Sequence, residues 1–543
     1  MNHRILVLLL AALALLGTSS AARAQMNVLV VMTDDQRFDT IAAMPNLSRL
    51  ADQGVRFTNA YMPSPLCGPS RASLFSGGFL TQNTLVLENN APNGGARAFN
   101  DKANLGSMLQ GVGYRTAFIG KWVNGYEGMG RYVPPGWTRW VGRHSYATTT
   151  SWFNFEYVLG SSTQYASGTG SLVGSQKYTT YYERDQVLAF LEQGKASSQP
   201  FFILWSPSAP HAQATPAPED ATAYPGYVYR GRGYGETDLS DKPWWVRYST
   251  DPDGNDEFVR KQRRTLLGVD RSFGAIVDRI AQHGKLDNTL IIYTSDNGYM
   301  WGEHGLWGKD KAYEESSRVP LVVVMPGVAP RQETRLVAPM LDIGPTVLQL
   351  AGVARKTDGA SLVPLLRNPG TATWRNTMFF EKTSSGAYTN AVWAGIRNQR
   401  WKYIRYWTGE EELYDLVNDP YELVSRHRDP ALATLKASLW SQTSPRLGLA
   451  AIPVRSFPTA RVGVPYGYQL ETWGGKAPFT WHVSGGQLPP GLTLDASSGD
   501  IRGTPLASGT YAFAVRVTDS SYATQARKAR TFVTRQMKIT VTY

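Results

Sequence analysis

The sequence predicts an α/β fold, a doubly wound and mostly parallel sheet, followed by an all-β sandwich. Three features carry this. Continuous apolar runs rich in β-branched and aromatic residues recur at 26–32, 114–119, 199–205, 289–294 and 319–325, as in strands covered on both faces. Amphipathic stretches at 46–54, 105–111, 181–194 and 263–283 alternate with them, as helices do around a parallel sheet. From Pro453 onward the pattern changes to short alternating segments separated by Gly and Pro turns.

The chain begins with Arg4, an apolar run over 5–16 and the small-x-small site Ala22-Arg23-Ala24, so 1–24 reads as a signal peptide for export to the periplasm or beyond. That run is too short for a membrane span, and none is expected elsewhere. Cys67 is the only cysteine, which excludes an internal disulfide framework. The mature length exceeds what one hydrophobic core supports. A net charge of +12 suits an anionic polymer as partner. No zinc pattern, basic helix or RNA-binding signature accompanies it, so nucleic acid is not expected.

The first apolar run ends in Thr33-Asp34-Asp35-Gln36. Two adjacent carboxylates at a strand end are costly unless a cation meets them, and a divalent metal is the simplest one. The plainer alternative is an Asx turn or a helix cap. In the stretch 65–77, Pro69 suits a first helical turn, and apolar residues resume at Ala72, Leu74 and Phe75. Cys67 then lies at a helix N-terminus, where free N–H groups and the dipole favour an anion. A lone cysteine is otherwise a small buried hydrophobe. The run 114–119 leads to Lys121, the run 199–205 to His211, and the run 289–294 to Asp296 and Asn297. Ligands bind such sheets beyond the C-terminal strand ends. Asp34, Asp35, Lys121, His211, Asp296 and Asn297 should therefore converge, with the Cys67 loop reaching them.

The stretch 123–182 reads as an insertion of loops and short antiparallel strands. The main α/β unit is expected over 26–370, with a small antiparallel subdomain at 371–445 ending in a helix over 431–440. A linker at 446–452 and a sandwich at 453–543 complete the order. The sandwich carries ten Lys or Arg against four Asp or Glu.

C-G-P-S-R at 67–71, with Gly77, resembles the sulfatase signature C-x-P-S-R-x-x-x-x-T-G, with Ser76 in place of threonine. G-E-H-G-L-W-G-K-D-K-A-Y-E-E-S-S-R-V-P-L at 302–321 resembles that family's second motif, and the likeness extends over 26–445. It implies an alkaline-phosphatase-like form of the α/β fold and a formylglycine made from Cys67 by a formylglycine-generating enzyme. Calcium is the implied metal, with magnesium possible, held by Asp34, Asp35, Asp296, Asn297 and residue 67. Oxygen-only ligands suit a hard cation independently. The resemblance also implies that Arg71 holds residue 67 and that Lys121, His211 and Lys309 contact the sulfate. Many arylsulfatases read G-K-W-H where this chain has Gly120-Lys121-Trp122-Val123. The G-K-x-x-N arrangement with Asn124, followed by Pro134-Pro135-Gly136-Trp137, is similar to the N-acetylglucosamine-6-sulfatase and heparan sulfatase branch. That implies a sulfated carbohydrate substrate, with Asn124 and His304 as further substrate-binding candidates. The segment from 453 resembles immunoglobulin-like modules of bacterial surface proteins. The competing readings are a phosphonate monoester or phosphodiester hydrolase and a non-catalytic surface glycan-binding protein.

Overall fold

The computed structural model describes residues 25–91, 93–144, 152–249, 255–370, 372–382, 392–406, 408–443, 457–472, 477–518 and 532–543. The expected signal peptide and the linker at 446–452 lie outside the described residues.

One large sheet dominates. In spatial order its strands are Arg331–Glu333, Val55–Phe57, Leu321–Val324, Thr289–Ser295, Asn27–Thr33, Phe201–Ser206, Arg115–Gly120, Arg139–Arg143, Phe155–Gly160 and Ser171–Ser175. The run from Thr289–Ser295 to Arg139–Arg143 is parallel throughout. Antiparallel partners flank it on both sides. Asn27–Thr33 shows why the apolar runs are continuous. Val28, Val30 and Met32 enter one core, with Leu74, Phe75 and Ile343, while Leu29 and Val31 enter the other, with Leu266, Phe273 and Ile276. A strand with helices over both faces has no polar side.

The expected helices are present at Pro45–Ala51, Leu105–Gln110, Thr179–Gln193 and Asp256–Gln282. The last begins before its apolar stripe because the Asn255 side chain accepts from Phe258 N and Asp256 and Glu257 occupy the first turn. The segment 123–182 is more than an insertion. Its strands lengthen the main sheet, because Trp140 is fully buried and stacks on Phe118 with ring centroids 4.5 Å apart.

Met378–Lys382, Trp393–Arg397, Trp401–Tyr406 and Glu411–Asp415 form a small antiparallel sheet. The helix Ala433–Thr443 buries Leu439 against Ile396, Tyr403 and Leu413 of that sheet. Further on, a four-stranded and a three-stranded sheet share a core of Trp481, Ile501, Phe513, Val515 and Ile539. Among the described residues, no helix is long and apolar enough to cross a membrane.

Candidate active site

Strand register assembles the site. Thr33 pairs with Ser295 at the ends of two parallel strands, so Asp34-Asp35 and Asp296-Asn297 leave the sheet side by side. Asp35 N donates to Asp296 Oδ1 at 3.1 Å. Gly120 pairs with Ser206 on the neighbouring strands, and Lys121 N donates to Ser206 O at 2.8 Å. A Cβ on Gly120, whose φ is +113°, would lie 2.1 Å from Ser206 O, so this approach requires glycine.

The helix Cys67–Phe75, buried at every position, brings in the remaining groups. Its last residue, Phe75, stacks on Trp122 with centroids 4.0 Å apart, which fixes the helix against the Lys121 strand end. At its first turn, Cys67 Sγ lies 3.3 Å from Asp34 Oδ1 and 3.9 Å from Asp35 Oδ1. Lys309 Nζ is 2.7 Å from the same sulfur and 2.5 Å from Asp35 Oδ1. One turn on, Arg71 donates from Nε to Asp296 Oδ2 at 2.8 Å, and from Nη1 to Lys121 O and Ser206 Oγ, each at 2.7 Å. Lys121 Nζ meets Asp34 Oδ2 at 2.5 Å. Asn297 Nδ2 donates to Asp35 Oδ1 at 2.7 Å. His211 stands at the rim, with Nε2 3.9 Å from Asp35 Oδ2 and a side chain 37% exposed.

The charges are unevenly satisfied. Burial opposes ionisation of Asp34, but Lys121, His211, Arg71 and Lys309 outweigh it and hold its carboxyl well below the usual range. Burial pushes Asp35 up, with Asp34 adding repulsion, and Asp296 rises for the same two reasons. Burial, then Asp296 and Asp34, push the Cys67 thiol well up, so the unmodified sulfur is a neutral thiol and a poor nucleophile. Desolvation, aided by Lys309 and Lys121, pushes the His211 ring toward its neutral form. Burial opposes the Lys309 charge, yet the carboxylates of Asp35, Asp34 and Asp296 hold its pKa well above normal. Two buried oxygens, Asp35 Oδ2 and Asn297 Oδ1, have no hydrogen-bond partner among the described residues. Asp34, Asp35, Cys67 and Asp296 each place a ligand atom within 4.8 Å of the others. Orphaned oxygens beside further carboxylates form a donor set that fits a hard divalent cation.

Two expected residues lie apart from this cluster. No hydrogen bond among the described residues joins Asn124 to it: the Asn124 carbonyl accepts from Ala96 N at 2.7 Å, and Oδ1 is buried without a partner. His304 has no exposed surface. Its Nδ1 lies 2.5 Å from Glu236 Oε2 and its ring stacks on Tyr313, so it packs within its loop and presents no atom to the cluster. Sequence reasoning missed Ser206, which takes a hydrogen bond from Arg71. The strand-end rule that found His211 also covered position 206, but a lone serine there carries no distinctive signal.

The fold and the cluster define a hydrolase of anionic esters in the doubly wound α/β class. The comparisons narrow this. The sulfatase family profile matches residues 26–353, the C-terminal profile of N-sulphoglucosamine sulphohydrolase matches 302–446, and the immunoglobulin-like He_PIG profile matches 450–534. The chain belongs to the sulfatase family and is a sulfuric ester hydrolase. It is 33% identical to the N-acetylglucosamine-6-sulfatase of Capra hircus over 486 residues, which span 77% of this chain and 83% of that protein. It is 28% identical to the N-acetylglucosamine-6-O-sulfatase of Bacteroides thetaiotaomicron over 511 residues, 78% of this chain and 87% of that one. A solved structure in complex with its substrate D-glucosamine-2-N,6-O-disulfate aligns at a TM-score of 0.63 and 26% identity, over 77% of this chain and 96% of that chain. The phosphonate monoester hydrolase of Agrobacterium radiobacter aligns at a TM-score of 0.61 and 22% identity, over 77% of this chain and 94% of that chain, which establishes shared architecture alone.

Proposed function

We propose that this sulfatase acts on sulfated glycans, with the 6-O-sulfate of an amino sugar as preferred ester, through a formylglycine made from Cys67 and a bound calcium ion. The observation that carries the reading is the position of Cys67 Sγ among Asp34, Asp35 and Lys309, beside two orphaned oxygens. Asp34, Asp35, Asp296 and Asn297 would hold the cation, whose positive charge favours the sulfate oxygens and a deprotonated hydroxyl at residue 67. Formylglycine supplies, as its hydrate, one hydroxyl to attack sulfur and a second whose deprotonation expels sulfate.

The chain's own residues do the rest. Arg71 ties the helix start to the Asp296 loop and the Lys121 strand end, which fixes residue 67. Lys121 and Lys309 place ammonium groups on two sides of the cluster, where they neutralise charge on the ester's oxygens. The leaving oxygen needs a proton. Lys309, whose charge Asp35 and Asp34 favour, carries one, and His211 at the rim is the second candidate. Export directed by residues 1–24, maturation by a formylglycine-generating enzyme, and the division into 26–370, 371–445 and 453–543 belong to the same proposal.

Mass spectrometry of the Cys67 peptide from the exported protein tests it, together with rates on matched sulfate esters and phosphodiesters. The expected result is an aldehyde at position 67, calcium-dependent activity and faster sulfate turnover. An unmodified thiol sinks the mechanism, and faster phosphodiester turnover moves the protein to the phosphonate and phosphodiester branch.

A further inference from the structure

We propose that a cavity at the far end of the Cys67 helix, lined by Arg355 and Lys356, is a second, non-catalytic site that binds a sulfated glycan chain. The proposal rests on the sulfatase reading for the kind of polymer, and adds where the protein holds it away from the catalytic cluster.

The cavity has a volume of about 610 Å³ and sits where the helix Pro339–Leu350 ends. That end closes on itself. Gly352, at φ of 75°, turns the chain, so that its N–H donates to Gln349 O at 3.2 Å and Val353 N to Leu348 O at 2.8 Å. Backbone groups thus satisfy these last-turn carbonyls, and the cations that follow are not needed to cap them. Further on, Asp358 N and Gly359 N donate to Gly78 O at 3.0 and 3.2 Å, and Ala360 N to Asp342 Oδ1 at 2.9 Å. The loop 353–357 is therefore held at both ends, and it turns Arg355 and Lys356 to the cavity. Gly78 lies just past the helix Cys67–Phe75, which runs about 13 Å. Cavity and catalytic cluster stand at opposite ends of that buried helix.

The charge here is one-sided. Among the described residues, no carboxylate lines the cavity, and neither Arg355 nor Lys356 forms an ion pair. The acid nearest in sequence, Asp358, is turned away and accepts from Leu80 N at 2.9 Å and from Asn83 Nδ2. Arg355 is fixed in place. Its guanidinium carbon lies 5.1 Å from the Phe79 ring centroid, and Nη1 donates to Ala103 O at 3.3 Å. Burial lowers its pKa with no acid to oppose the fall. An oriented guanidinium without a counter-charge favours an anion, and its planar fork matches the oxygens of a sulfate or carboxylate. Gln349 and Thr357 add hydrogen-bonding groups, and Pro345 and Leu348 form an apolar wall. The volume is in the range that encloses an organic ligand, well beyond what a lone oxyanion fills. The C–H faces of sugar rings suit the wall and their sulfates suit the cations. Nucleic acid bases stack on aromatic side chains, and none of the described lining residues is aromatic.

Acetylation of exposed lysines on the whole protein, read by mass spectrometry, tests this. A heparan sulfate hexasaccharide in excess should slow labelling of Lys356 by at least about fivefold. The desulfated hexasaccharide should not, and the exposed Lys195 should label at an unchanged rate. Unchanged labelling of Lys356, or equal protection of Lys195, overturns the proposal. So does equal protection by inorganic sulfate or phosphate, which would make this a site for a small anion, or by a DNA oligonucleotide, which would reduce the attraction to charge alone. Rates give the second arm. Lys356→Ala should lower kcat/KM on the hexasaccharide about threefold, and Lys356→Ala with Arg355→Ala at least about tenfold. Rates on N-acetylglucosamine 6-O-sulfate should not change. An equal fall on both substrates, or on neither, overturns the proposal. Lys356 is exposed and makes no hydrogen bond among the described residues, so its variant reports even if loss of Arg355 unfolds the protein. Labelling needs no turnover, which separates this site from the sulfatase reading. Were no sulfate ester cleaved, protection of Lys356 would still support the site, whereas its absence in an active sulfatase would remove the site alone.

Discussion

Two clusters of buried charge meet the segment 302–317, and they differ in how fully their charges are paired. Around Cys67, three carboxylates face Lys121, Lys309 and Arg71, and Asp35 Oδ2 and Asn297 Oδ1 still lack hydrogen-bond partners among the described residues. Around Glu314 nearly every acid has its cation. Arg397 and Lys402 stand 2.9 and 3.2 Å from Glu314, Lys402 stands 2.6 Å from Glu422, and Arg37 stands 2.8 Å from Glu303. Tyr61 OH completes Glu314 at 2.6 Å. The second cluster joins the short helix Glu314–Ser317 to the small antiparallel sheet and holds the shape of the Lys309 loop. A nearly closed set of pairs holds structure together, whereas orphaned oxygens converging on one place mark where a ligand belongs.

Substitutions test this contrast, beginning with the largest expected effect. Cys67→Ala should lower kcat by about 10⁴ or more, since nothing else in the first cluster supplies the nucleophile. Single-turnover rates check it, and substantial residual activity would break the contrast. Glu314→Gln should do the reverse. It leaves Arg397 buried without its carboxylate, while Lys402 keeps Glu422, at a cost of about 3–5 kcal/mol. Guanidinium unfolding measures that, while kcat per folded molecule should hold. Lys309→Ala should lower kcat by about 10²–10³ through lost charge stabilisation, read from initial rates on a sulfate ester.

The smallest effect concerns pH. Burial opposes ionisation of Glu314, but Arg397 and Lys402 hold its pKa at about 2, below the ordinary 4.5. Its contribution to stability is present above 4.5 and is lost as pH falls toward 2. Its neighbour Glu315 goes the other way. Burial, then repulsion from Glu303, push Glu315 up to about 8, and its Oε2 is buried without a partner. Unfolding between 4.5 and 8 therefore releases a proton from Glu315, and stability falls as pH rises through that window. Glu315→Gln should remove this fall. The variant should melt above the wild type at pH 8 and level with it at pH 4.5, by calorimetric Tm. An equal shift at both values would mean the effect does not come from titration.

Much of the fold was legible because a buried parallel strand has no polar face, and a continuous apolar run records that directly. The strands and helices that position the site fell where periodicity put them, and the strand-end rule brought Asp34, Asp35, Lys121 and Asp296 together. The antiparallel strands of 123–182 were harder to place. An edge strand alternates weakly, and which sheet it joins depends on contacts such as Trp140 on Phe118. His304 and Lys309 share one motif, five residues apart, yet one is buried against Glu236 and the other reaches Cys67.

By itself the sequence determined the layers, the order of elements and the chemistry available at the strand ends, since these follow from local periodicity and residue type. Only the tertiary structure decided which charges found partners. Glu314 and Glu315 are adjacent and identical in kind, yet they titrate in opposite directions because strands nearly a hundred residues away bring cations to one and not to the other. Burial makes each charge depend on what stands within a few ångströms, and sequence distance does not encode that.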